Sequence, residues 1–161
     1  MYLVDTNIWL ERLLEQDKSE DVRKFLDIVP SERLFISDFS FHSIGVILCK
    51  INKRDTLLQF TDDIFKNGDV TLLCLEPDDF PKVVNVIEKY NLDFDDAYQY
   101  ITAEKNDLTL VSFDADFDRT ERGKKSPEVI YLEFKRKEED KENKEAEEEI
   151  KKDLDSHLQE S

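Results

Sequence analysis

The sequence lacks a long apolar segment. No stretch approaches the roughly 20 apolar residues that a membrane-spanning helix needs. The chain starts directly on a strand-like run, Met1 to Val4, where a signal peptide would carry basic and then apolar residues. We therefore expect a soluble, cytoplasmic protein with no membrane partner.

Cysteine is also scarce, and acids outnumber bases. Cys49 and Cys74 lie in apolar segments without CxxC or Cys/His spacing, which predicts buried thiols in a reducing compartment and no disulfide or zinc site. The formal net charge of −16 argues against capture of nucleic acid by a broad basic surface. If several acids converge on one pocket, divalent cations would offset part of their repulsion.

The length of 161 residues fits one α/β domain plus a tail. We assign residues 1–134 to the domain and residues 135–161 to a charged tail, helical or disordered, that contains no Gly or Pro. In the tail, Ile150, Leu154 and Leu158 recur every four residues and would form one narrow apolar stripe on a helix. The tail is either a solvated extension or a helix that binds a partner.

Short apolar runs alternate with amphipathic helical patterns along the domain. Run 70–75 is nearly all apolar or β-branched, which suits a central strand covered on both faces. Residues 40–51 are apolar on most of their circumference, which predicts a largely buried helix. This alternation implies an α/β fold with a mostly parallel sheet of about five strands and right-handed crossovers. The predicted strands are residues 1–4, 34–37, 70–75, 108–112 and 128–132.

Carboxylates stand at the ends of several of these elements. Asp5 ends the first strand, Asp114 follows the fourth, and Asp95 and Asp96 open the helix before it. Parallel strands bring their C-terminal ends to one edge of a sheet, so we expect these acids to converge there. Each acid alone could be only a helix cap or a favourable charge at a helix start. Clustered carboxylates without His or Cys suit Mg²⁺ or Mn²⁺, which can activate water and stabilise a phosphoryl group under attack.

Three motifs occur together in an order that is typical of a known family. They are Leu3-Val4-Asp5-Thr6-Asn7, Phe94-Asp95-Asp96-Ala97-Tyr98 and Leu110-Val111-Ser112-Phe113-Asp114-Ala115-Asp116-Phe117. Up to about residue 132, the sequence resembles the PIN-domain nucleases, which include the VapC-type toxin ribonucleases of VapBC toxin/antitoxin pairs. The resemblance implies a three-layer α/β/α fold and metal-dependent hydrolysis of single-stranded RNA. It makes Asp5, Asp96 and Asp114 the catalytic, metal-binding acids, with Asp116 as a further metal ligand and with Thr6, Asn7 and Ser112 contacting the phosphate or supporting the metal ligands.

One position departs from the family pattern. The family usually has a Glu in the helix after the second strand, and the matching residue here is Ser43. A hydroxyl cannot supply the missing charge, so either Asp38 reaches the site from the strand end or the pocket holds one metal weakly. His42 could orient a water or a phosphate, or it could be an ordinary histidine on a polar helix face.

Basic residues follow the last acidic motif, and Arg119 is the candidate for substrate contact. Such residues could bind an RNA backbone on either side of a negative pocket, or they could only pair with neighbouring acids such as Asp116. The apolar helices at residues 40–66 could form a homodimer surface. The basic residues are Arg119, Arg122, Lys124 and Lys125.

The favoured function is a Mg²⁺- or Mn²⁺-dependent endoribonuclease that acts on single-stranded RNA, and the resemblance adds an antitoxin protein as a partner. The alternative is a PIN-like module that binds RNA or a protein with weak or no catalysis, a reading motivated by Ser43 and the acidic body. A phosphatase with Asp5 as nucleophile fits less well, because the second aspartate of the commonest phosphatase motif is Asn7 here.

Overall fold

A four-stranded parallel sheet forms the centre of the domain. The structure, a computed structural model, describes the backbone of residues 1–159 and the side chains of residues 1–148 and 151. The strands lie side by side in the order β3-β2-β1-β4, and every pair of neighbours is parallel. They are β1 (Tyr2–Val4), β2 (Leu34–Ser37), β3 (Thr71–Leu73) and β4 (Thr109–Val111).

Helices cover both faces of this sheet. Alternate residues of a strand point to opposite faces, and accordingly Tyr2 and Val4 belong to one buried cluster while Leu3 belongs to another. The first cluster includes buried residues of α1 to α4 and α7, and the second includes those of α5 and α6. This arrangement confirms the predicted three-layer α/β/α fold. The helices are α1 (Thr6–Leu13), α2 (Ser19–Ile28), α3 (Asp38–Lys50), α4 (Arg54–Phe65), α5 (Phe80–Tyr90), α6 (Phe94–Lys105) and α7 (Pro127–Gln159).

The predicted fifth strand, residues 128–132, is wrong, because this segment is the start of helix α7. The β-branched and aromatic residues of the run favour a strand locally. However, Pro127 stands at the first helical position, where its fixed φ suits a helix, and the Ile130 amide donates to the carbonyl oxygen of Ser126, four residues earlier. Ile130 is fully buried and Phe134 packs against the same core, so burial recurs at the helical spacing of four residues.

Helix α7 continues through residues 134 and 135 to Gln159. The boundary that we assigned between domain and tail therefore lies inside a helix, which packs against α2. The predicted apolar stripe of Ile150, Leu154 and Leu158 falls on side chains outside the described ones. Among the described residues, every helix is too short or too polar to cross a bilayer.

Three burial predictions need correction. β3 is an edge strand with Leu72 46% exposed, because its apolar composition does not determine its place in the sheet. Helix α3 is only partly buried, since Val46 on its outer face is 57% exposed while Ile44 is fully buried. Cys49 and Cys74 are both exposed, because neither points into the core that its apolar neighbours form.

Candidate active site

The C-terminal edge of the sheet carries polar residues that cap the following helices. Asp5 directly follows β1, and its Oδ1 accepts a hydrogen bond from the Thr6 amide at 2.7 Å at the start of α1. Ser37 ends β2, and its Oγ accepts from the Ser40 amide at 3.0 Å at the start of α3. Ser112 follows β4 at the same edge. Parallel strand direction therefore brings these groups together, as the sequence predicts.

Asp5 is 6% exposed and is held by four donors. Its Oδ1 also accepts from Gln99 Nε2 at 3.1 Å, while its Oδ2 accepts from Asn7 Nδ2 at 2.9 Å and from Ser112 Oγ at 2.7 Å. Burial raises the pKa of Asp5, and the hydrogen bonds from Ser112, Gln99 and Thr6 oppose that rise. The Asp5 carboxylate is therefore a fixed hydrogen-bond acceptor at the floor of the site. The bond from the Thr6 amide, which caps α1, is only one of the four that it accepts.

Three further carboxylates gather above this floor. One oxygen each from Asp96, Asp114 and Asp116 lies within 4.8 Å of the others, and all three side chains are half-buried. Burial first, and then the charge of Asp114 and other nearby acids, raises the pKa of Asp96 to about 7. Such a cluster is costly without a cation or a shared proton between its members.

The cluster borders a cavity of about 370 Å³. Among the predicted site residues, Asp5, Thr6, Asn7, Asp96 and Asp114 line this acidic cavity. Asp116 belongs to the carboxylate cluster. Ser112 is fully buried behind the cavity, where its Oγ accepts from the Asp114 amide at 3.0 Å and donates to Asp5. The other lining residues are Leu10, Phe39, Ser43, Ile47, Asp95 and Gln99.

Ser43, which the resemblance aligns with the usual Glu of the family, lines the acidic cavity. Asp38 does not line it; it lines an adjoining cleft together with His42. The Asp38 Oδ1 there accepts hydrogen bonds from the Phe39 amide at 2.8 Å and from the Tyr98 hydroxyl at 2.7 Å. The described residues of α3 that line the acidic cavity are Phe39, Ser43 and Ile47, so this helix contributes no carboxylate to it.

Sequence reasoning missed Gln99 and Ser40. Gln99 is 1% exposed, and its Nε2 donates both to Asp5 and to the Ser40 Oγ, which also accepts from Thr6 Oγ1 at 2.9 Å. Its Oε1 is buried without a hydrogen-bond partner in the described part of the chain. One signal pointed to Gln99, since it lies one helical turn after Asp96 and so shares its face of α6.

The basic residues after the last motif all form ion pairs. Arg119 Nη2 lies 3.0 Å from an oxygen of Asp116 and also donates to the Asn91 carbonyl oxygen, so it contacts the carboxylate cluster through Asp116. The pairing alternative therefore describes this structure. The other pairs are Arg122 with Asp107 at 3.1 Å, Lys124 with Asp118 at 3.0 Å and Lys125 with Glu133 at 2.6 Å.

The donor set of the cluster fits a hard divalent cation. Asp96, Asp114 and Asp116 offer carboxylate oxygens, and the cluster contains no imidazole or thiolate. Oxygen-only sites of this kind suit Mg²⁺ and Mn²⁺ and do not suit zinc or copper. A cation bound there would offset the repulsion that raises the pKa of Asp96.

Fold and site together define a three-layer α/β protein with a carboxylate cluster at the C-terminal edge of a parallel sheet. The family profile described as PIN domain matches residues 2–123, and the chain belongs to this family of nucleases. The resemblance given by the three motifs is thereby confirmed. Comparison with curated proteins finds no match.

Several solved structures share the fold. The Mycobacterium tuberculosis toxin VapC20, described as sarcin-ricin loop cleaving, has a TM-score of 0.67 at 14% identity over 79% of this chain and 100% of its own. A toxin-antitoxin complex from Klebsiella pneumoniae has a TM-score of 0.64 at 20% identity, covering 79% and 98%. FitAcB from Neisseria gonorrhoeae has a TM-score of 0.62 at 20% identity, covering 79% and 98%. At these identities the similarity concerns the fold.

Proposed function

We propose that the protein is a metal-dependent endoribonuclease that acts on single-stranded RNA in the cytoplasm. The observation that carries this proposal is the cluster of Asp96, Asp114 and Asp116, whose oxygens lie within 4.8 Å of one another above buried Asp5. Membership of the PIN domain family supports the nuclease activity. The fold similarity to VapC20, described as a loop-cleaving toxin, supports RNA as the substrate.

Asp96, Asp114 and Asp116 would hold Mg²⁺ or Mn²⁺. Such a cation lowers the pKa of an attacking water and offsets charge on the phosphodiester. Asp5 orients this cluster through Ser112, whose Oγ donates to Asp5 Oδ2 at 2.7 Å and accepts from the Asp114 amide at 3.0 Å. Asn7 Nδ2, on α1, donates to both Asp5 Oδ2 and Ser112 Oγ. It therefore helps to hold these two side chains in place.

An unpaired strand suits the acidic cavity. The scissile phosphodiester must approach carboxylates that border a recess of about 370 Å³. Single strands can bend and splay their bases to enter such a recess, whereas the bases of a duplex are stacked and paired. Thr6 and Asn7 line the recess beside α1 and are suited to contact the phosphate.

We also propose an antitoxin partner and a homodimer. Two of the structural neighbours are described as toxin-antitoxin complexes or as FitAB bound to DNA, which supports a partner of this kind. Exposed apolar side chains at the C-terminal end of α3 and on α4 are suited to a contact between two copies. They are Ile51 and Leu58, with exposures of 47% and 65%.

Cleavage of end-labelled single-stranded RNA tests the proposed activity. The purified chain should cleave the RNA with Mn²⁺ and lose at least about a hundredfold in rate with chelator or as Asp5→Asn or Asp96→Asn. Asp118→Asn is the matched control, because Asp118 is an exposed acid near the cluster that pairs with Lys124. Circular dichroism checks that each variant is folded. Equal cleavage by Asp96→Asn and the unsubstituted chain would refute the proposal.

A second candidate function is an RNA- or protein-binding module with weak or no catalysis. Ser43 favours it, because the wall of the acidic cavity that usually carries Glu has no charge. This function predicts RNA binding without Mn²⁺-dependent cleavage in the same assay.

A further inference from the structure

A second cavity adjoins the acidic cavity. It has a volume of about 580 Å³, and the two cavities share Phe39, Ser43 and Ile47 on their walls. We call it the aromatic cleft. Its remaining walls include Asp38, His42, Phe80, Phe94 and Tyr98. Whatever enters the acidic cavity therefore has the aromatic cleft directly beside it.

Aromatic rings dominate the cleft. Phe94 lies with its ring centroid 5.8 Å from Phe39, 6.2 Å from Phe80 and 6.1 Å from Tyr98. Phe80 and Phe94 are nevertheless 40% and 44% exposed, so part of this ring surface faces solvent. Exposed aromatic surface beside a polar site is typical of binding surfaces.

The Tyr98 hydroxyl and the Asp38 carboxylate form a polar pair in this cleft. The Tyr98 hydroxyl accepts from the Leu75 amide at 3.0 Å and donates to Asp38 Oδ1, so its position is fixed. The Phe39 amide also donates to Oδ1, and among the described residues no hydrogen bond reaches the second carboxylate oxygen of Asp38, which can accept from an amino group. Carboxylates accept hydrogen bonds from exocyclic amino groups of bases.

Charge explains why a substrate site would need such a cleft. RNA-binding proteins usually gain affinity from contacts between phosphates and many lysines or arginines. This chain has a formal charge of −16, and the basic residues after the last acidic motif are ion-paired. Stacking of bases on aromatic rings is a further source of affinity for a single strand, and it needs no basic side chain.

We propose that the aromatic cleft binds an unpaired base of the nucleotide next to the scissile phosphodiester, with Phe80 and Phe94 stacking on the base and Asp38 accepting from its amino group. This inference rests on the proposed function and adds to it a subsite for the base. The size of the cleft favours a base, because about 580 Å³ falls in the range of small-ligand sites. A docked protein would typically cover about 800 Å² on each partner.

Fluorescence of an RNA oligonucleotide carrying one 2-aminopurine tests the proposal. The titration uses the full chain as Asp5→Asn with Mn²⁺, which allows binding to be measured without cleavage. Stacking should quench the fluorophore, and Phe80→Leu should weaken binding about 5- to 150-fold, the range found for loss of one stacked aromatic. Phe80→Trp should retain affinity, because it keeps a ring, and Val84→Ala is the control, because Val84 is exposed on the same helix and does not line the cleft.

The same oligonucleotide with one abasic residue in place of the 2-aminopurine supplies the matched ligand. Measured by competition against the fluorescent oligonucleotide, it should bind the chain that retains Phe80 about as weakly as the 2-aminopurine oligonucleotide binds Phe80→Leu. Equal affinity of abasic and base-bearing RNA, or equal binding by Phe80→Leu and Phe80→Trp, would overturn the proposal. Binding of an amphipathic peptide that Phe80→Leu abolishes, with RNA binding intact, would overturn it in favour of a protein ligand. Failure of the proposed function is seen separately, as absence of Mn²⁺-dependent cleavage by the unsubstituted chain.

Discussion

Ser43 is the residue that the resemblance aligns with the usual Glu of the family. Its side chain lines the acidic cavity, which Asp96 and Asp114 also line. The affinity of an oxygen-ligand site for a divalent cation rises with the number of charged ligands. The missing charge should therefore limit metal affinity more than it limits folding.

Ser43→Glu should strengthen metal binding. A carboxylate on this wall adds a charged group to the cavity, and we expect Mn²⁺ affinity to rise by about tenfold, which corresponds to about 1.4 kcal/mol. Ser43→Gln is the control, since it has the same length without the charge. Calorimetric titration with Mn²⁺ measures the difference, and indistinguishable affinities of the Glu and Gln variants would contradict the expectation.

Asp96 makes the stability of the metal-free protein depend on pH. Its pKa is about 7 in the folded chain against an ordinary value of 3.8, so between these values the folded state keeps a proton that the unfolded state releases. The free energy of unfolding therefore falls as pH rises through this window.

Asp96→Asn should remove this fall in the free energy of unfolding with rising pH. With chelator present, the variant should be more stable than the unsubstituted chain at pH 8 by about 1–2 kcal/mol, after allowance for solvent screening of a half-buried group, and should show little advantage at pH 4. Urea unfolding at both pH values measures it, with Asp118→Asn as the control. An advantage of the same size at pH 4 and pH 8 would argue against this origin.

Among the residues of the site, the acids could be predicted from the sequence, and the contacts that support them could not. Asp5 directly follows β1 and Asp114 lies three residues after β4, so parallel strand direction places both near one edge of the sheet. The bonds from Gln99 and Ser112 to Asp5 join residues 94 and 107 positions apart, and they depend on strand register and helix rotation. No local pattern in the sequence encodes those two quantities.

Helix α7 is the element on which sequence and structure disagree. A run of β-branched and aromatic side chains made residues 128–132 resemble a strand, because local propensity cannot sense that Ile130 and Phe134 reach the same core from one helix face. The edge position of β3 escaped prediction for a related reason. Apolar composition reports how much surface a strand can bury, and tertiary packing decides how much it does.

Ile130→Ala tests the placement of α7. Ile130 is fully buried, so its truncation should cost about 2–4 kcal/mol of unfolding free energy through lost burial and a residual cavity. Val129→Ala is the control, because Val129 is 44% exposed and should cost under about 0.5 kcal/mol. Both values come from urea denaturation. A larger loss for Val129→Ala than for Ile130→Ala would place the other face of the segment in the core.

The whole molecule gathers carboxylates from distant parts of the chain at one edge of the sheet. This convergence follows from the parallel sheet with strand order β3-β2-β1-β4. The alternation of strands and helices predicts that the strands are parallel, but it does not predict their order. The charge of −16 makes the arrangement costly unless a cation is present. We therefore expect Asp96, Asp114 and Asp116 to form a cation site.

Calorimetric titration of the metal-free chain with Mn²⁺ tests this claim most directly. The unsubstituted chain should give a saturable binding heat, Asp114→Asn should abolish it, and Asp118→Asn, an exposed acid outside the cluster, should leave it unchanged. Absence of binding by the unsubstituted chain, or equal binding by the Asp114→Asn variant, would contradict the account.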